Sequence, residues 1–292
     1  MKIAISGETP AKKYNLSEIA AFISRYGASG IEIWPENIPP LPGATCVHRL
    51  YRDRDADAAK KILEERDISC ACVAFGAAFD KELAADEELF SNELVRAVQV
   101  ASKLGAKFVN HYLYHVSMAE TADTERLKKI YSPAIALAEE KGITLVLEDE
   151  AHDSTKNPLE MKRIVEAMTS QNFKTNFDAV NYYQANFEGF PYAYNVLREH
   201  IKYVHIKDGC EFVPEHGHTS DALGEGMSNA KAGKHIFYPM IGTGAMNIKG
   251  ELEALNNSGY DGWCTLEPHT TTELWHSYIK AEIEYLKSSG MF

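Results

Sequence analysis

Four short apolar runs in the second half of the chain each deliver a side chain that can bind a metal ion. Leu145-Val146-Leu147 closes on Glu148, and the run from Phe173 to Phe177 closes on Asp178. His205 lies inside Tyr203-Val204-His205-Ile206, and Trp263 to Leu266 closes on Glu267. Taken singly, a carboxylate at such a place reads as a helix cap or a surface charge. Four in succession is a pattern. Three carboxylates and one imidazole crowded round a point would repel one another unless a cation sat among them. The mixed oxygen and nitrogen set suits one divalent ion, Mn, Mg, Co or Zn, at ~2.0 to 2.2 Å, and does not choose among them.

Such convergence requires the four runs to be neighbouring strands. An amphipathic helix ending at a glycine, followed within a few residues by an apolar run, recurs along the chain: through Gly27 and Gly30 to Ile31-Glu32-Ile33-Trp34, through Gly105 to Phe108-Val109-Asn110, through Gly142 to Glu148, and through Gly259 to Glu267. Glycine tolerates the left-handed conformation that ends a helix, so each phrase predicts helix, cap, strand. With Lys2 to Ser6, Ile68 to Phe75, Phe173 to Phe177 and Tyr203 to Ile206, the count reaches eight strands. Asn157-Pro158 is a helix start between the fifth and sixth. Strands alternating with helices pair in parallel, and eight units predict an α/β fold, a single (β/α)8 TIM barrel over residues 1–292. A doubly wound open sheet is the alternative, but neither GxGxxG nor GxxxxGK[ST] is present. Between strands 7 and 8 an extended, glycine-rich loop over 209–246 is far longer than a connection needs, and reads either as a lid or substrate wall or as a surface insertion.

The chain has 292 residues, 45% hydrophobic and 25% charged, enough apolar material for a sizeable core. Thirty Lys and Arg against 42 Asp and Glu give a formal charge of -12. That balance opposes attraction to a phosphate backbone or an anionic membrane surface, so neither nucleic acid nor membrane is expected as a partner. No secretion signal or bilayer-length apolar run is read, and the five cysteines lack CxxC spacing. These features predict a cytoplasmic enzyme with reduced thiols, with a homo-oligomer left open.

The motifs around the four residues, Leu147-Glu148-Asp149, Asn176-Phe177-Asp178-Ala179, His205-Ile206-Lys207-Asp208, Gly242-Thr243-Gly244 and Gly259-Tyr260-Asp261-Gly262 to Glu267, together resemble the sugar phosphate isomerase/epimerase superfamily, the xylose isomerase-like TIM barrels. The resemblance spans most of the chain and keeps the strand order. By similarity to the ketose 3-epimerases of that group, Glu148 and Glu267 would be both ligands and the acid/base pair, acting on a small sugar-like substrate through an enediolate.

Substrate contacts are expected from His111 at the end of the fourth strand, from Lys207, which alternation sends to the side of His205, and from Glu32 and Trp34 at the end of the second. Asn181 replaces the histidine of the Asp-x-x-His phrase found in many members, and suits a hydroxyl better than zinc. Asp208 is expected either to orient the His205 ring or to cap the next element. A dehydratase of inosose or dehydroshikimate type is the competing reaction. An apurinic endonuclease with three zinc ions is disfavoured by Asn181 and the acidic balance, His216-Gly217-His218 notwithstanding. A sugar-binding protein without turnover is the remaining alternative.

Overall fold

Asn15 opens the first long helix, Leu16–Tyr26: its side chain accepts the Glu18 N–H while the Glu18 carboxylate accepts the Asn15 N–H. Gly27, at φ +80°, closes it. Asp86 and Asp123 cap the helices Glu87–Leu104 and Thr124–Lys141 by accepting the Leu89 and Arg126 N–H groups, and Gly105 and Gly142 end them at φ +76° and +62°. Asn157 and Pro158 start the helix Pro158–Ala167 as expected. These caps satisfy backbone groups that a helix end leaves open and set each chain reversal into a strand.

The computed structural model describes residues 1–76, 84–114, 120–218, 230–231 and 234–292. Eight strands close into a parallel barrel: β1 (Lys2–Ser6), β2 (Gly30–Ile33), β3 (Ser69–Phe75), β4 (Phe108–His111), β5 (Thr144–Glu148), β6 (Phe173–Asp178), β7 (Ile201–Ile206) and, last in the chain, β11 (Trp263–Leu266). Around the barrel the order is β1, β11, β7, β6, β5, β4, β3, β2. The four strands that deliver Glu148, Asp178, His205 and Glu267 are therefore contiguous. Register aligns Asp178 with His205 and His205 with Thr265, so Glu267 emerges two residues beyond Thr265.

Parallel strands covered on both faces need apolar side chains both inside and out. Outside, Phe75, Phe90, Tyr131, Phe173 and Phe177 join the strands to the helices, and burying each stabilises the fold by ~1.5 to 3 kcal/mol. Inside, Ala4, Ala71, Cys72, Val146 and Tyr203 form a separate cluster. They come from the alternate strands β1, β3, β5 and β7, the layered filling of a barrel that is a packed core rather than a pore.

The 209–246 excursion is not unstructured. β8 (Cys210–Glu211) and β9 (Ala230–Lys231) each pair antiparallel with β10 (Lys234–Phe237), giving a small three-stranded sheet. Residues 219–229 and 232–233, within the expected lid, lie outside the described residues. Asp208 ties the ends of the excursion together. Its Oδ1 accepts the N–H groups of Gly209 and Met246 at 2.8 and 3.1 Å, and its Oδ2 those of Gly242 and Gly244, both at 2.9 Å. A Cβ on Gly244 would fall 2.2 Å from Asp208 Oδ1, which accounts for that glycine. Asp208 thus fastens the loop, and orienting His205 falls to another residue.

Candidate metal centre

β5 and β6 deliver Glu148 and Asp178 at their last residues, β7 delivers His205, and Glu267 follows directly on β11. All four are buried, and one ligand atom from each lies within 4.8 Å of those of the others. Among the described residues this is the one group of three or more His, Cys, Asp or Glu that converges so.

Each member is held from outside the cluster. Asn110 Nδ2 donates to Glu148 Oε2 at 2.6 Å, and Asn176 Nδ2 donates to Asn110 Oδ1 at 3.2 Å. Asn181 reaches Glu148 Oε1 at 3.5 Å and donates to the Asp149 carbonyl at 2.8 Å. Asp178 Oδ1 caps the helix Ala179–Gln184 through the N–H groups of Val180 and Asn181, and its own N–H donates to Asp149 Oδ1 at 3.0 Å. His205 Nδ1 faces Glu148 Oε1 at 3.2 Å and Glu267 Oε2 at 3.5 Å, while Nε2 faces Glu32 Oε2 at 3.0 Å.

Lys207 stands among the carboxylates. Its Nζ is 2.8 Å from Asp178 Oδ2, 2.9 Å from Glu267 Oε2 and 3.1 Å from His269 Nε2. Against the penalty of burial, Asp178, Glu267 and Glu148 hold this ammonium well above the usual lysine range. Burial works against the Glu267 carboxylate, yet Lys207 and His205 keep it well below the usual carboxylate range. Burial pushes Asp178 up despite the pull of Lys207.

The residues fit a divalent cation. Three carboxylates and an imidazole supply a suitable donor set, and Asp178 Oδ2, although near the Lys207 ammonium, makes no well-directed hydrogen bond. Buried polar atoms are rarely left so, and a ligating oxygen is one reason.

The structure brings Lys207, Asn181 and Glu32 to the expected site, though Glu32 lies behind His205 rather than open to a substrate hydroxyl. His111 turns away. Its ring packs on Tyr131 and Phe173, with centroids 5.2 and 5.3 Å apart, in the layer between strands and helices. Successive strand residues face opposite ways, and on β4 the inward position belongs to Asn110. Trp34 is buried, donating from Nε1 to Ser6 Oγ at 3.2 Å, with the Arg49 guanidinium 5.2 Å over its ring. Its face, expected to cover a sugar, is paired with a cation instead. His218 accepts the Val213 N–H at 3.0 Å and stacks on Phe237 at 4.1 Å, so it fastens its own loop.

Asn110, Asn176 and His269 are site residues that residue type alone did not single out. The signal that reaches them is parity: Asn110 shares a face with Phe108, Asn176 with Asp178, and His269 with Glu267. The Tyr112 phenol, raised by burial, also feels the charges of Glu148 and Glu267.

Solved structures share this architecture. The probable 3-DHS dehydratase AsbF of Bacillus anthracis, involved in petrobactin synthesis, is 15% identical, with 98% of this chain and 99% of that chain covered and a TM-score of 0.71. D-allulose 3-epimerase of Methylomonas sp., solved with D-allulose, is 16% identical over 99% and 97% of the two chains, with a TM-score of 0.68. A xylose isomerase-like TIM barrel protein of Mycobacterium smegmatis in complex with magnesium is 14% identical over 99% and 97%, with a TM-score of 0.70. No curated protein sequence matches significantly. The family model for the xylose isomerase-like TIM barrel matches residues 20–289, nearly the whole of the closed barrel and all four convergent residues, and the chain belongs to that family.

Proposed function

We propose that the protein is a metal-dependent isomerase or epimerase of a small sugar or sugar derivative, with Glu148, Asp178, His205 and Glu267 as ligands and Glu148 and Glu267 as the proton-transfer pair. The observation that carries this reading is the convergence of those four buried side chains within 4.8 Å at the carboxyl ends of contiguous strands. A divalent cation bound there supplies Lewis acidity toward a carbonyl and its neighbouring hydroxyl, making the adjacent C–H more acidic.

The protein's own groups do the rest. Glu148 and Glu267 stand on strands separated by β6 and β7, and so approach a substrate from two sides. One carboxylate takes the C–H proton, the electron pair moves into the carbonyl to form an enediolate, and the other returns a proton to the opposite face. Return to the neighbouring carbon gives aldose-ketose exchange instead. The Lys207 ammonium, 2.9 Å from Glu267 Oε2, is available to neutralise charge growing on a substrate oxygen. Asn181 and Asn110 hold Glu148 while a substrate hydroxyl is bound.

Incubating ketoses and inososes with the manganese-loaded protein in deuterated water tests this. Solvent deuterium is expected at the carbon beside the carbonyl. Glu148→Gln and Glu267→Gln are each expected to slow exchange by ~10² to 10⁴-fold. Full activity in either variant on an accepted substrate would sink the assignment.

Dehydration is the second reading, and the Lys207–His269 contact at 3.1 Å favours it specifically. A basic pair beside Glu267 can protonate a departing β-hydroxyl once the C–H proton is gone. Appearance of an α,β-unsaturated carbonyl in the product would select this reaction. The proposal takes residues 1–292 as one domain, with 209–246 as a wall or lid over the site. It further takes the protein to be cytoplasmic, able to form a homo-oligomer, and without nucleic acid as a partner. Cleavage of an abasic duplex by the metal-loaded protein would count against it.

A further inference from the structure

Glu32 closes the far side of the His205 imidazole. Neither side chain has solvent exposure, and Glu32 Oε2 stands 3.0 Å from Nε2. The other nitrogen, Nδ1, faces Glu148 and Glu267 at 3.2 and 3.5 Å. A flipped ring would turn Cδ2 and Cε1 toward these same carboxylates, so the three contacts together fix the ring orientation. The two nitrogens are therefore unequal. Nδ1 looks toward the convergent ligands, whereas Nε2 looks toward Glu32.

Among the described residues, Glu32 alone is placed to bind that second nitrogen. Asp208, the nearer carboxylate in sequence, is taken up by four backbone N–H groups. Glu32 has no competing hydrogen bond among the described residues, for its Oε1 is buried without a partner. It reaches His205 across the barrel interior, β2 and β7 being separated by β1 and β11. A register shift in the β2–β3 pairing falls between Ile31 and Glu32, and such irregularities re-aim a side chain near a site. Small Ala4 and Cys72 in the layer of interior side chains leave room for the crossing.

We infer that Glu32 is a positioning residue of the metal centre: it accepts the Nε2–H of His205 and so holds the ring in the tautomer whose Nδ1 lone pair faces the cation. The inference rests on the metal-site reading above. An imidazole that binds a metal through one nitrogen carries its proton on the other, and a carboxylate on that proton orients the ring and raises its strength as a ligand.

The test uses the full chain, stripped with chelator, labelled with 15N-histidine and loaded with 113Cd. One histidine is expected to show cadmium coupling at Nδ1 and to carry its proton on Nε2. In competition with a chromophoric chelator, Glu32→Gln is expected to bind zinc about 10 to 100-fold more weakly than the native protein, at the same stoichiometry. Glu32→Asp, too short to reach the ring, is expected to weaken binding similarly while keeping the charge. Coupling through Nε2, or an unweakened Glu32→Gln, would overturn the inference and leave the metal site standing. Absence of any cadmium binding by the native protein would overturn both. Should Glu32→Gln fail to fold by circular dichroism, the nitrogen coupling in the native protein decides alone.

Discussion

His111 and Asn110 show what one residue of parity does to a site. Both are strand-end polar residues on β4, and residue type favours the histidine as a functional group. Its ring instead faces Tyr131 and Phe173, and burial pushes it down to about 4. Because this folded value lies below the unfolded one, the unfolded chain takes up the proton first. Stability is then full above pH ~6.5 and falls as pH drops toward ~4, by about 3 kcal/mol at most. His111→Phe is expected to keep deuterium exchange within a few-fold of native and to flatten this acid slope in urea denaturation. A hundred-fold loss of exchange would return His111 to the site. The four convergent residues were legible because carboxylate and imidazole at strand ends are distinctive. The asparagines beneath them were not, since an asparagine in a strand carries no charge signal and its meaning depends on which neighbour its face meets.

Elements were legible where backbone geometry demands a particular residue. The glycine that recurs after four of the helices marks a positive φ, at +80° for Gly27, +76° for Gly105, +62° for Gly142 and +78° for Gly259. The sheet of β8, β9 and β10 escaped, because strands of two to four residues are too short to show a period. Its anchorage gives a sharp expectation. Asp208→Asn leaves an amide facing the Gly242 and Gly244 N–H donors, and should cost about 3 kcal/mol in denaturant unfolding. Gly244→Ala crowds the other oxygen of that carboxylate, Oδ1, so the two changes together should cost less than their sum. Strict additivity would mean that they do not act on one contact. On the helix Ile248–Asn257, Glu251 is buried with Oε1 unpartnered, and burial, then the charges of Asp178 and Asp208, push its carboxyl up to about 8. Here the folded value lies above the unfolded, so stability is greatest below pH ~4.5 and falls as pH rises to ~8. Glu251→Gln, which cannot ionise, should gain on the native protein by up to a few kcal/mol between about pH 5 and about pH 8.5. An equal difference at both pH values would contradict this.

For the molecule as a whole, closure is what turns four separate strand ends into one site. In a barrel, consecutive strands are neighbours, and the order β11, β7, β6, β5 places Glu267, His205, Asp178 and Glu148 along one arc of the mouth. No described helix is long and apolar enough to cross a membrane. The net charge of -12 coexists with a centre where Lys207 already offsets part of the carboxylate charge. A bound dication would offset the rest and stabilise the folded state according to its concentration over its dissociation constant. The proposed chemistry therefore depends on the ion. Calorimetric titration of manganese into chelator-stripped protein is predicted to give one site per chain, lost or weakened at least tenfold in Glu148→Gln, Asp178→Asn, His205→Gln and Glu267→Gln alike. No binding by the native protein, or binding untouched by all four substitutions, would contradict it.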